Sequence, residues 1–552
     1  MEFSYAYRGS SSVQGGADRT DMSFAPDTKR APTFFRGELA QSLPFREAIS
    51  ALHDVVVSDL RFQPKDRTAY MQWLATQDEL DWAQVLQQRG TLGQQIETLR
   101  RELDGLRRTS SERMAPFYRA RKRYFDYLYR TDMDYWYVLD PVITVHPDEL
   151  FFECFSQDES TYGKLGASYE VFTSLGERAC GTTNVDYSQA LYDEFQKIRS
   201  YKTTRLEVDP SGFEVETTNE DSYKEVKIDL PDSWVRGFLQ VSSAMSLPAI
   251  TFELHPMDIH NFCFVLRRHK ELHGPRSMRY LLTPGQPVKV VFEPWNIEVI
   301  CARSIYQGDT AEEVRVWGRR RIHILERLVP VAKRFVVHLL GSGLPAFYVA
   351  DLGDMSFTLG LSGWTANDWS SAGNFDLMAP RTDVDDLTKR RVFDALKENW
   401  YEAPESLARR LQLDRSIVLG ALSAYTQAGR AIFDIDKGVY RVRELSREPL
   451  PMDRLRFASP REEAATRLVE AHRVSVRRNA APDQCLELTG TVKDGKHVHR
   501  AMLLLDADRR MIQAHCSCNF YQQNKLFQGP CEHILALRMA KSEKRSFWNR
   551  FR

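Results

Sequence analysis

Four side chains able to hold a soft metal ion fall within eighteen positions near the carboxyl end: Cys516, Cys518, Cys531 and His533, spaced Cys-X-Cys, twelve residues, Cys-X-His. Thiolates and imidazole are the usual ligands of structural zinc, which takes four of them in a tetrahedron. A pair at each end of a spacer lets one ion be wrapped from two sides. With all four positions filled, no coordination site remains for water, so the implied chemistry is one structural Zn2+ and no hydrolysis. His515 is a competing ligand, but the second pair makes it unnecessary, and it is expected behind the ligands or on the surface.

Local elements must aim these four. Residues 502–505 and 511–514 read as two strands of a hairpin turned at Asp506-Ala507-Asp508, the second strand delivering Cys516. Gly529-Pro530 makes a sharp turn before Cys531, and 534–540 reads as a helix. Cys531 and His533 then sit at its N-terminus, where the helix dipole favours a thiolate. This spacing, its hairpin and the closing run from Pro530 to Leu537 together resemble the SWIM-type zinc finger over 455–545. Family members often carry a basic residue between the last two ligands. Glu532 stands there in this chain, which weakens a nucleic-acid role for that face.

Residues 385–445 hold a second recognisable pattern. Helical periodicity runs over 387–399, over 404–411 with Pro404 in the first turn, and from Asp414 to Gln427. A hairpin follows over 431–435 and 439–442. This order resembles a winged helix. The resemblance implies a third helix that enters the DNA major groove, with Arg415, Ser416, Gly420, Ser423, Ala424 and Gln427 facing outward, and a wing whose Lys437, Arg441 and Arg443 touch phosphates. Arg415 is the one basic residue on that outward face, so a protein-docking winged helix stands beside the DNA-reading one.

The rest reads as an α+β multi-domain chain. Residues 1–45, rich in serine, glycine and proline, are expected to be a disordered or loosely packed arm. Residues 46–134 are expected to be helical, with a coiled-coil seam at Leu92, Ile96, Leu99, Leu103 and Leu106 and a run of aromatics and cations over 117–125. Residues 135–375 alternate as strands, including hairpins over 142–155 and 205–217, and read as a β-sandwich or mixed sheet. His255, His260, His269 and His273 lie near Asp258 without a recognised ligand spacing. The glycine-rich 340–345 lacks the lysine and hydroxyl of a phosphate loop.

The composition excludes several classes. Basic and acidic residues balance at 75 each, so no net field draws the whole chain to nucleic acid or membrane. From 441 onward, however, 22 basic residues face 13 acidic ones, which concentrates positive charge around the finger. The longest apolar run, 335–349, is too short and too interrupted to span a bilayer. The other five cysteines, Cys154, Cys180, Cys263, Cys301 and Cys485, are scattered and suit inert buried thiols in a reducing cytoplasm. The expected function is therefore a non-enzymatic zinc-binding protein that binds nucleic acid, a protein partner or both. Two alternatives stand beside it: an adaptor within an ATPase-containing assembly, and an enzyme with a site folded together in 135–375.

Overall fold

The computed structural model describes residues 12–15, 19–24, 33–58, 141–176, 178–184, 195–196, 198–201, 203–208, 232–270, 276–363, 368–369, 374–379, 384–445, 460–481, 485–506 and 510–540. The chain forms two compact units, Met1–Ser58 with Leu139–Arg552, and Asp59–Val138. The second unit lies outside the described residues, as do the coiled-coil seam and the aromatic-basic run expected within it.

The first unit is organised around an eight-stranded antiparallel sheet. Its spatial order is Ile250–Leu254, Arg334–Leu339, Ala346–Asp351, Met355–Leu361, Thr161–Ser168, Glu149–Phe155, Val142–Val145 and Gly181–Asn184. Strand Glu149–Phe155 is buried along its whole length, so both of its faces are covered. On one face lies the helix Ser42–Val56, whose Phe45, Ile49, Leu52 and Val55 fall at helical spacing and are all buried. Burying each such side chain is worth about 1.5–3 kcal/mol. On the other face, Phe155 packs against Trp234 and Phe238 of the helix Asp232–Met245.

The amino-terminal segment departs from the expectation of a loose arm. Phe35–Leu39 is a strand with Phe35 and Leu39 buried, in a five-stranded sheet with Ser12–Gly15, Arg19–Phe24, Thr203–Val208 and Phe172–Leu175. Thr203–Val208 pairs with Phe35–Leu39 and, in parallel, with Arg19–Phe24. Its expected hairpin partner, 213–217, lies outside the described residues. A glycine- and serine-rich composition speaks only to local preference, and the partner that stabilises this strand lies far along the chain.

A second antiparallel sheet, ordered Ile297–Ile305, Pro287–Phe292, Ser277–Leu282 and Glu312–Trp317, packs with the helix Pro256–Arg268 and the 3-10 segment Arg319–Leu328. Three arginines, Arg319, Arg320 and Arg321, open that segment, and the first and third turn inward. Arg319 is buried and donates to the Ser277 and Glu293 carbonyls, and Arg321 meets Asp158 at 3.1 Å.

Over 385–445 the structure has helices Asp386–Asn399, Pro404–Leu411 and Arg415–Gln427, and a three-stranded sheet ordered Tyr401–Glu402, Val439–Val442, Ala431–Asp434. Their apolar stripes enclose a core of their own around Val392, Leu396, Leu407, Val418 and Leu422. The carboxyl-terminal module is a four-stranded antiparallel sheet, Val474–Ala480, Leu486–Asp494, His497–Leu505 and Met511–Cys516. Helices Pro460–Glu470 and Glu532–Met539 pack together against one face of it.

Candidate metal centre

Strand period places the first ligand. In Met511–Cys516, Met511, Ala514 and Cys516 are buried, while His515 is exposed beside the Tyr521 ring. Successive side chains on a strand point to opposite faces, so His515 cannot share a site with its neighbour Cys516. Cys518 then caps the short helix Asn519–Asn524, its Sγ accepting from the Tyr521 amide at 3.4 Å. Tyr521 Oη donates to the Ala514 carbonyl at 2.5 Å, and Gln522 Nε2 donates to the Cys516 carbonyl at 2.7 Å. These bonds fold the helix back over the strand that delivers the ligand.

The second pair is set by the turn before it. Gly529 has φ +80°, and a Cβ there would come within 2.6 Å of the Asn374 carbonyl, so both conformation and space require glycine. Arg461 donates to the carbonyls of Gln528 at 2.9 Å and Pro530 at 3.1 Å. Cys531 caps the closing helix, whose first turn carries His533. The module is fixed to the body of the protein by Arg538, which donates to the Leu377 and Ala379 carbonyls at 2.8 and 2.7 Å.

The donor atoms of Cys516, Cys518, Cys531 and His533 all lie within 4.8 Å of one another, and all four residues are buried. Three sulfurs and an imidazole at that separation suit one four-coordinate zinc ion with no open position. The electrostatics agree. A hydrogen bond from Cys531 holds the Cys516 thiol down to about 4 and, against burial, the Cys518 thiol down to about 7, whereas Cys531 itself is pushed up. Burial opposes charge on His533, but the Cys516 and Cys518 sulfurs outweigh it and raise the imidazole to about 9. Without metal the four groups hold shared protons. A zinc ion would replace those protons, which is how metal binding couples to folding.

The imidazole is also flanked. Asp494 Oδ2 lies 3.6 Å from His533 Nε2, and Glu532 Oε1 lies 3.6 Å from Nδ1. Whichever nitrogen takes the ion, a carboxylate stands near the other, at ion-pair rather than hydrogen-bonding distance. Glu532 thus stands beside the imidazole, a placement that the sequence did not suggest.

The candidate nucleic-acid residues do not gather on one surface. Arg415 is ion-paired with Glu405 at 2.6 Å, and Lys437 is half-exposed at the hairpin turn, 3.9 Å from Asp436. Arg441 and Arg443 are buried, which corrects their expected contact with phosphate. Arg441 meets Asp434 at 2.8 Å, Asp148 at 2.9 Å and Glu149 at 3.2 Å, and Arg443 meets Glu153 at 3.0 Å. Two residues apart, the arginines share a direction and lie on the face of the central sheet that presents Glu149 and Glu153. Lys164 joins the network, 2.8 Å from Asp434 and 3.7 Å from Glu149. Burial opposes charge on Asp434, yet Lys164 and Arg441 hold its carboxyl well below the ordinary range, while burial pushes Glu149 up.

The third helix is partly covered as well. Gly420 and Ser423, expected to face outward, are buried, while Arg415, Ser416, Ala424 and Gln427 are only partly exposed. The helix packs between Asp386–Asn399 and Asp232–Met245. Among the four histidines near Asp258, His255 caps Pro256–Arg268, His269 packs on Trp295, and His260 faces Glu326. His273 lies outside the described residues. The described three do not converge on one another.

Comparison with known proteins places one part of the chain. Residues 499–538 match the model of the SWIM zinc finger, a span containing all four ligands. No curated protein matches the chain. Among solved structures, the chain is similar to proliferating cellular nuclear antigen from Entamoeba histolytica, with 7% identity, 60% of this chain and 98% of that chain covered, and a TM-score of 0.32. Among the described residues, no helix is long and apolar enough to cross a membrane.

Proposed function

We propose that this protein is a zinc-structured binding protein that holds nucleic acid against the outer face of its finger sheet. The observation that supports this reading is the face opposite the closing helix. Strand alternation and pairing put Arg477 on Val474–Ala480, Lys493 on Leu486–Asp494 and Arg500 on His497–Leu505 on that side, with Arg473 beside Lys493. All four are exposed, and among the described residues none has an ion-pair partner. Thr489, Thr491 and Ser475 lie between them, giving donors and acceptors among the cations. Glu487 is on the same face, where it accepts from Asn479 at 3.2 Å and pairs with none of the four cations. Cations in excess over an open sheet suit a phosphate backbone. Zinc in this reading is structural: it holds the sheet and carries no reaction.

We read residues 385–445 as a winged helix used as a bracket. Its third helix buries Gly420 and Ser423 from the face that would lie in a groove, and its wing arginines are committed to Glu153, Glu149 and Asp148. That observation also favours a second reading, in which the protein is an adaptor whose contacts are all with other proteins.

Salt dependence separates the two. Anisotropy of labelled duplex and single-stranded oligonucleotides, read from about 50 to 200 mM salt, should show a steep loss of affinity. Arg477→Glu with Arg500→Glu should weaken binding and flatten the slope, with zinc content unchanged. Absence of binding at the lowest salt would leave the adaptor reading.

A further inference from the structure

We propose a second metal site, outside the finger, formed by Cys263, His323 and Glu326, that takes a borderline-soft divalent cation such as Zn2+ or Co2+. One ligand atom from each of these residues lies within 4.8 Å of the other two. They come from two elements that pack together. Cys263 sits on the helix Pro256–Arg268, while His323 and Glu326 sit on the 3-10 segment Arg319–Leu328. In a 3-10 turn, residues three apart lie in line along the axis, so this segment presents an imidazole and a carboxylate from one edge. His323 Nδ1 is 3.7 Å from Glu326 Oε2.

On the facing helix, His260 is three residues before Cys263, on the same side, with Nδ1 4.0 Å from Glu326 Oε1. It supplies a fourth donor at the solvent edge, or leaves that position to water. Cys263 is fully buried and forms the floor, its Sγ donating to the Ile322 carbonyl at 3.7 Å. Without metal, the charge on Glu326 is balanced by Arg267, whose side chain is 49% exposed and therefore free to turn into solvent.

Binding forms a metal–sulfur bond as the Cys263 proton leaves to water, and the ion takes over the balancing role of Arg267. A donor set of one sulfur, one or two nitrogens and one oxygen selects for zinc-like ions over calcium or magnesium, which prefer oxygen alone. The ion would tie the helix to the 3-10 segment as a cross-link. This inference does not depend on the nucleic-acid reading, since the site shares no residue with the finger.

The test is Co2+ titration of the metal-stripped full chain, followed by its thiolate charge-transfer and d–d bands, with metal per chain counted after gel filtration. The wild-type chain should bind two ions. Cys516→Ser with Cys518→Ser removes the finger ion and should leave one, still showing a sulfur-to-cobalt band. His323→Ala and Glu326→Gln, both at partly exposed positions that leave the buried thiol in place, should each weaken that remaining ion by more than about tenfold. A wild-type count of one, or a second ion unaffected by both substitutions, overturns the site.

Discussion

Arg443 and Glu153 form an ion pair with both side chains fully removed from solvent: Nη1 lies 3.0 Å from Oε1 and 3.1 Å from Oε2. Tyr162 Oη donates to the same carboxylate at 2.8 Å, and the guanidinium lies over the Phe238 ring. The pair joins the end of the 385–445 unit to the middle of the central sheet. Arg443→Met alone should cost about 3–5 kcal/mol in denaturant unfolding, because it leaves a buried carboxylate without its counter-charge. Arg443→Met with Glu153→Leu should cost much less than the sum of the two singles. A cycle in which the two effects simply add would show that the charges do not depend on one another.

Removing zinc should unfold the finger and spare the body. Structural zinc sites contribute about 10–16 kcal/mol of apparent binding free energy. Chelation, or Cys531→Ser, should therefore open 460–540 to protease while the buried strands between 142 and 361 stay resistant. Thermal melts that superimpose with and without chelator would contradict this.

His146 predicts a loss of stability in mild acid. Burial, then the nearby Arg441, lowers its imidazole from 6.5 to about 4, while the Val442 carbonyl, 2.6 Å from Nε2, and Asp148 act in the other direction. The folded state holds this ring neutral. Its contribution is complete above the unfolded value near 6.5 and is lost as pH falls toward 4, a span on the order of 3 kcal/mol. His338, lowered to about 4 by burial, titrates in the same window. His146→Gln should flatten, without abolishing, the slope of unfolding free energy against pH between those values; an unchanged slope would show that the ring takes up its proton at the same pH folded as unfolded.

Gly490 should tolerate no side chain. A Cβ there would lie 1.9 Å from the Ser475 carbonyl oxygen and 2.7 Å from Leu537 Cδ1, so it would push apart two finger strands and the closing helix together. Gly490→Ala is expected to cost about 1–3 kcal/mol and to weaken zinc retention in a chelator competition. Retention equal to wild type would mean that the strands give way without disturbing the ligands.

The ligand set was legible because it is local. Four donors within eighteen positions, a glycine turn and an apolar helix leave little for the rest of the chain to decide. The helices of 385–445 were equally legible, since their apolar spacing reports the face they bury. The alternation Glu149, Phe151, Glu153, Phe155 was also in plain view, but nothing local told what would meet those carboxylates.

The sequence by itself determined the metal, its ligands and the elements that carry them, because spacing along a strand or helix fixes which side chains share a face. Tertiary structure decided which of those faces water reaches. It turned Arg441 and Arg443 inward onto Asp148, Glu149 and Glu153, buried Gly420 and Ser423 of the third helix, and brought His323 and Glu326 to Cys263. The partners in these contacts lie far apart in the chain. A charged side chain reads the same in sequence whether it meets solvent or a buried counter-charge, and only the folded packing tells the two apart.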